Sequence, residues 1–155
     1  MELYWINDSV AVATRPRGGD WLWDDLAAAQ LRGVRTVVSC LTREEESELG
    51  LEGELDAAQS LGLEFARIAI EDHGTPQPGL VEEVLSRIRR SATPLTKIAI
   101  HCRQGLGRSP LVAAAILVRD GMTPTAAWEA IAIARGRPVP ETDEQRAWLT
   151  RFAAS

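Results

Sequence analysis

The sequence predicts a single α/β domain over residues 1–155, built on a central, mostly parallel sheet with helices on both faces. Three observations predict it. The chain has 155 residues, 45% of them hydrophobic and 25% charged, which is the size and make-up of one domain with one core. Short β-branched apolar runs alternate with longer stretches of helical periodicity, the pattern of strands joined by crossover helices. Gly and Pro are spread between these pieces as punctuation, and no segment repeats at a fixed period. A chain of this length buries roughly 70% of the surface it exposes when unfolded, so it needs no disulfide framework or structural metal.

Taken in order, Leu3 to Ile6 and Val10 to Thr14 are β-rich. The breaker Arg15-Pro16-Arg17-Gly18-Gly19 leads to Asp20, an N-cap for a helix to about Arg32 whose buried side would be Trp21, Leu22, Leu26 and Leu31. Gly33 ends that helix, and Val34 to Leu41 has the composition of a buried strand. Helical pieces follow near 43–50 and 53–61, with the acidic run Glu44-Glu45-Glu46 read as a solvated helix face. Gly62 precedes a strand over Leu63 to Ile70, in which Leu63 and Phe65 fall on one parity and Ile68 and Ile70 on the other, so both faces should be covered. After a proline-bearing loop, Glu71 to Gly79, a helix from Leu80 to about Ser91 places Leu80, Val84, Leu85 and Ile88 on one stripe. Lys97 to Cys102 is a further strand, and helices near 109–120, 124–135 and 142–153 close the chain. The tryptophans at 5, 21, 23, 128 and 148 read mostly as core.

Charge and hydropathy narrow the partners. The net charge of −5 gives no general attraction for phosphate backbones or anionic lipid, so neither nucleic acid nor membrane is an expected partner. The longest apolar run, Leu111 to Val118, has 8 residues against about 20 for a bilayer span. The opening Met1-Glu2-Leu3-Tyr4-Trp5 does not read as a secretion signal, and two cysteines make no framework, so the expected location is a reducing cytoplasm.

In open α/β sheets the chemistry sits at the carboxyl ends of the strands. There the sequence carries His101-Cys102-Arg103-Gln104-Gly105-Leu106-Gly107-Arg108-Ser109-Pro110, with a helix directly after it. Five residues between Cys102 and Arg108, two of them Gly, let successive N–H groups curl into an anion-binding nest at a helix N-terminus. Arg108 would grip two oxygens of the anion, and a ring of donors would hold Cys102 as a thiolate. Ser109 can hydrogen-bond that sulfur. A thiolate attacking phosphorus leaves an oxygen to be protonated, and Asp72, on the loop after the preceding strand, offers the acid. Glu71 is its rival. His101 is placed to pin the loop, and His73 reads as part of a turn.

The His-Cys-x5-Arg-Ser pattern resembles the signature of cysteine-dependent protein tyrosine phosphatases, and the rest of the chain resembles their dual-specificity branch. Gly33-Val34-Arg35-Thr36-Val37-Val38-Ser39-Cys40, Asp72-His73-Gly74-Thr75-Pro76 and Pro140-Glu141-Thr142-Asp143-Glu144-Gln145 are similar to the group containing the cyclin-dependent-kinase-associated dual-specificity phosphatase. The Trp-Pro-Asp of the larger tyrosine phosphatases is replaced by Ile70-Glu71-Asp72. The resemblance implies hydrolysis of phosphomonoesters, above all protein phosphotyrosine with phosphoserine and phosphothreonine as further substrates, by a monomer that needs no metal or other cofactor. It implies Cys102 as nucleophile, Arg103, Gln104, Gly105, Leu106, Gly107 and Arg108 as the phosphate loop, Ser109 as an aid to the second step, His101 as the residue ordering the loop, and Asp72 as the acid. It also implies that Thr142 and Gln145 approach the pocket rim; the alternatives are a helix cap for Thr142 and a surface position for Gln145. Cys40, ending a neighbouring strand, is either a redox partner that shields Cys102 through a disulfide or a buried free thiol. Three other functions stay open: a phosphatase of a lipid, nucleotide or inositol phosphate, a module that binds phosphorylated ligands without turnover, and a sulfurtransferase of the rhodanese type.

Overall fold

A computed structural model describes residues 1–155. Five strands, β1 (Leu3–Trp5), β2 (Val10–Ala13), β3 (Val34–Ser39), β4 (Glu64–Arg67) and β5 (Lys97–His101), form one sheet in the order β1-β2-β5-β3-β4. β2, β5, β3 and β4 run parallel, and β1 adds to β2 as an antiparallel edge. The sheet divides the core in two. Val10, Val12, Ile98 and Ile100 point to the face covered by α4 (Pro78–Ser91), α5 (Arg108–Arg119), α6 (Pro124–Arg135) and α7 (Asp143–Ala153). The alternate positions Ala11, Ala13, Val37 and Ala99 face α1 (Leu22–Leu31) and α3 (Glu54–Ser60). The short α2 (Arg43–Leu49) follows β3.

Four details of the expected architecture change. The first helix does not start at Asp20, which lies in a 3₁₀ turn, Gly19–Trp21, ahead of α1. A tight approach dictates that turn: a Cβ at Gly18 would stand 1.9 Å from the Leu49 carbonyl oxygen, and Gly19 takes φ +61°. The buried face of α1 is Leu22, Leu26 and Ala29, at helical spacing, which leaves Trp21 56% and Leu31 90% exposed. Trp23 is also exposed, so of the five tryptophans Trp128 and Trp148 are buried and Trp5 packs half-buried against the core. The third change is at β4: it is an edge strand, half-buried and shorter than expected. The chain beyond it still pairs through Ile68 N–H to Ser39 O and Ile70 N–H to Cys40 O, at 2.9 and 3.1 Å. The fourth is on α4, which starts at Pro78 and buries Val81 rather than Leu80 along with Val84, Leu85 and Ile88.

The two central strands end side by side. His101 is in register with Ser39 on β3 and Ala13 on β2, and the Cys40 N–H donates to the His101 carbonyl at 2.8 Å. Residues 102–107 leave this edge and enter α5. The loops after β3 and β4 leave from the same edge, so the topology brings α2 and the 71–77 loop over Cys102.

Candidate active site

Cys102 forms the floor of a cleft of about 170 Å³ that is also lined by Asp72, His73, Arg103, Gln104, Leu106, Gly107, Arg108 and Glu141. The loop around it is rich in free donors. The Gly105 N–H donates to Cys102 Sγ at 3.3 Å, and Ser109 Oγ lies 3.2 Å from the same sulfur. The N–H groups of Arg103, Gln104, Leu106 and Gly107 make no hydrogen bond within the protein, so a ring of main-chain donors stays available at the start of α5. Gly105 takes φ +74°, and a Cβ there would meet the Ala13 carbonyl oxygen at 3.0 Å, which is why this turn of the loop needs glycine. Arg135 braces the outside by donating to the Gln104 and Gly105 carbonyls at 2.9 and 3.1 Å while stacking on Tyr4.

Arg108 is buried, and its fork is divided between neighbours. Nη1 donates to Glu45 Oε1 at 2.6 Å and to the Ile70 carbonyl at 3.0 Å, and Nη2 donates to Glu45 Oε2 at 3.1 Å. Nε–H makes no hydrogen bond and Nη2 meets only Asp72 Oδ1 beyond Glu45, at 3.4 Å, so the side edge of the guanidinium can turn to two oxygens of an anion. Burial opposes the charge of Arg108, but the Glu45 carboxylate and the nearby Cys102 sulfur outweigh it and hold the guanidinium above its ordinary pKa. Burial likewise opposes the charge on Glu45, and its hydrogen bonds from Arg108, Arg103 and the Thr42 N–H bring its pKa down to about 2.

Glu45 is the residue that sequence reasoning missed. Glu44-Glu45-Glu46 is not a solvated face: Glu45 and Glu46 are buried, Glu45 on Arg108 and Arg103, Glu46 on Arg67 at 2.5 Å. Glu45 also closes a capping box with Thr42, a signal present in the sequence Thr42-Arg43-Glu44-Glu45. Its partner 63 residues away is not. Arg103 lends its main chain to the loop and lines the cleft, while its side chain donates to Glu45 and Glu48 at 2.7 and 2.9 Å.

Asp72 and Glu71 separate here. Asp72 lines the cleft with Cys102, is 54% exposed and lies 3.4 Å from Arg108 Nη2, whereas Glu71 lines only an adjoining acidic groove with Glu44, Glu45 and Glu48. His73 is more than a turn residue: it takes φ +63° and stands at the mouth, 3.7 Å from Asp72 and 3.9 Å from Glu141. Glu141 lines the cleft where Thr142 and Gln145 were expected at its rim, although the Gln145 amide does reach the loop, so close to Gly107 that a Cβ there would stand 3.2 Å from Nε2. Thr142 caps α7 by accepting the Gln145 N–H at 3.1 Å, and Gln145 is fully buried behind the rim, donating to the Gly74 carbonyl at 3.1 Å. Trp148 donates to the Pro76 carbonyl at 2.9 Å, so α7 holds the Asp72 loop at two points. Cys40 and Cys102 are both buried free thiols, and burial with the neighbouring Cys102 charge pushes the Cys40 thiol well up, keeping it protonated at neutral pH.

Comparison with known proteins agrees with this arrangement. Residues 11–122 match the family described as "Polymorphic toxin system, DSP-PTPase phosphatase", and the chain belongs to it. Cyclin-dependent kinase inhibitor 3 of Rattus norvegicus is 33% identical over 122 residues, 77% of this chain and 58% of its own, so the chain spans little more than half of that relative. Among solved structures, Tk-PTP in the active form superposes with TM-score 0.80 and 27% identity, covering 98% of this chain and 96% of its own. Kinase associated phosphatase with its catalytic cysteine replaced by serine superposes with TM-score 0.83 at 24% identity, covering 99% and 94%, which places this chain in the same fold.

Proposed function

We propose that this protein hydrolyses phosphomonoesters, with protein phosphotyrosine as the leading substrate and phosphoserine and phosphothreonine as further ones, through a cysteinyl-phosphate formed on Cys102. The observation that carries the reading is the meeting, in one cleft, of Cys102 Sγ, the Nε–Nη2 edge of Arg108 and the Asp72 carboxyl. In the first step Cys102 Sγ forms a bond to phosphorus as the ester P–O bond breaks, and Asp72 gives its proton to the departing oxygen. Loop N–H groups and Arg108 stabilise the charge on the equatorial oxygens. In the second step Asp72 takes a proton from water, whose oxygen displaces the sulfur, and the Ser109 hydroxyl donates to the thiolate as it leaves. His101 orders the loop, and Cys40 is the proposed redox partner of Cys102, to be tested by mapping disulfides after peroxide treatment.

The surroundings favour a lone monoester on a protein over a polyphosphorylated lipid headgroup. Arg103 is already engaged by Glu45 and Glu48, and the groove beside the cleft presents Glu44, Glu48 and Glu71, which repel a second phosphate. The test is phosphate release from phosphotyrosine, phosphoserine and phosphothreonine peptides, a nucleoside monophosphate and phosphatidylinositol phosphate vesicles, with Cys102→Ser as control. Release fastest from the phosphotyrosine peptide and abolished by Cys102→Ser supports the reading. Release only from the lipid or nucleotide moves the substrate class, and binding without release makes the protein a recognition module.

A further inference from the structure

Glu54, on the opposite face of the sheet from α5, is a fully buried carboxylate that the chemistry above does not use and, unlike Glu46 on Arg67, has no arginine beside it. It belongs to α3, and its Oε1 lies 2.6 Å from Nε2 of His101, itself fully buried; its Oε2 has no partner. The alternation of β5 explains the meeting. Ile98, Ile100 and Cys102 point to the α4 to α7 side, while Ala99 and His101 point to the side of α1 and α3. Burying a carboxylate is costly unless a hydrogen-bonding partner compensates it, and His101 is the only side chain that does so here.

The other ring nitrogen, Nδ1, lies 3.3 Å from the Cys102 carbonyl oxygen, which can only accept. Nδ1 must therefore carry a proton, and the Nε2 contact with Glu54 must hold one more, wherever along that bond it sits. We infer that Glu54 is a positioning residue for the nucleophile: it fixes the protonation of His101 so that Nδ1–H is held on the Cys102 carbonyl. In a trans peptide the N–H points opposite to the C=O. Anchoring that carbonyl on the His101 side turns the Arg103 N–H, one of the free loop donors, away from His101 and fixes the first turn of the loop around the sulfur. The chain of contacts runs from α3 through β5 to the cleft, and it rests on the proposed role of Cys102. The other groups facing Cys102 are Arg108 and Ser109 from α5 and Cys40 from the end of β3, with Glu45 and Asp72 reaching it through Arg108.

The test needs no substrate, so it stands apart from the proposed phosphatase activity. With only two histidines in the chain, nitrogen NMR on the wild type reads His101 directly. A protonated Nδ1 at pH 7 is expected, and a bare Nδ1 overturns the inference. The second arm is the rate of Cys102 alkylation by iodoacetamide at pH 6.5, located by peptide mapping. Glu54→Leu, checked for native fold by circular dichroism, should slow it about tenfold, and Glu54→Gln, whose amide can donate to Nε2 and keep the proton on Nδ1, should stay within about threefold of wild type. A folded Glu54→Leu protein that alkylates at the wild-type rate, or a Glu54→Gln protein as slow as expected for Leu, contradicts it. If Glu54→Leu does not fold, the NMR result and Glu54→Gln decide.

Discussion

With Arg108 and Arg103 both donating to it, the Glu45 carboxyl has a pKa of about 2 against an ordinary value of 4.5. Because the folded-state value is depressed, the stabilisation is fully present above about 4.5 and is lost as pH falls towards 2. Glu45→Gln strands two arginines and should cost about 3 kcal/mol at pH 7, and the gap from wild type should narrow by about 1.4 kcal/mol for each pH unit below that of free glutamate. Urea unfolding of both proteins at pH 7, 5 and 3.5 checks this, and a gap independent of pH would show that Glu45 acts through packing. At the mouth, Asp72→Asn should lower turnover by roughly 100-fold or more and flatten the pH limb that reports the acid, while Glu71→Gln should change it little. The reverse pattern would make Glu71 the acid.

The 71–77 loop that carries Asp72 has no regular structure of its own and depends on α7 for its position. Trp148→Phe keeps the ring in the core but removes the bond to the Pro76 carbonyl. Losing about 1 kcal/mol there should cost roughly fivefold in turnover with little change in KM, and should speed amide exchange across residues 71–77. Elements of this kind mark how far the sequence can be read. The loop from Cys102 to Arg108 is legible because its residues are contiguous and backbone geometry requires glycine at Gly105. The strands are legible from β-branched runs, and the neighbouring strand that ends in Cys40 is β3, paired with β5 in the sheet. What stayed hidden are side chains whose partners are distant in sequence: Glu45 on Arg108, Glu54 on His101, Gln145 on Gly74. A run of three glutamates carries the same charge whether it faces water or arginine, and only the tertiary fold decides. Trp21 and Leu31 failed for a related reason, since the buried arc of α1 is narrower than its apolar composition suggests.

Across the whole molecule, the parallel sheet acts as the frame that carries three separate segments to one edge. β5 delivers Cys102, the chain after β3 delivers Glu45 through α2, and the chain after β4 delivers Asp72, while α5 to α7 brace the loops from behind. What Cys102 does once a phosphate is in the cleft decides the mechanism. Ser109 lies 3.2 Å from the sulfur, so Ser109→Ala should slow the second step more than the first and let the intermediate accumulate. The most direct measurement is to mix Ser109→Ala protein with an excess of an aryl phosphate, quench in acid within seconds, and map the phosphate by mass spectrometry. Phosphate is expected on the peptide containing Cys102 and none in the Cys102→Ser protein. Sustained phosphate release with Cys102 unmodified, or release that survives Cys102→Ser, would contradict it.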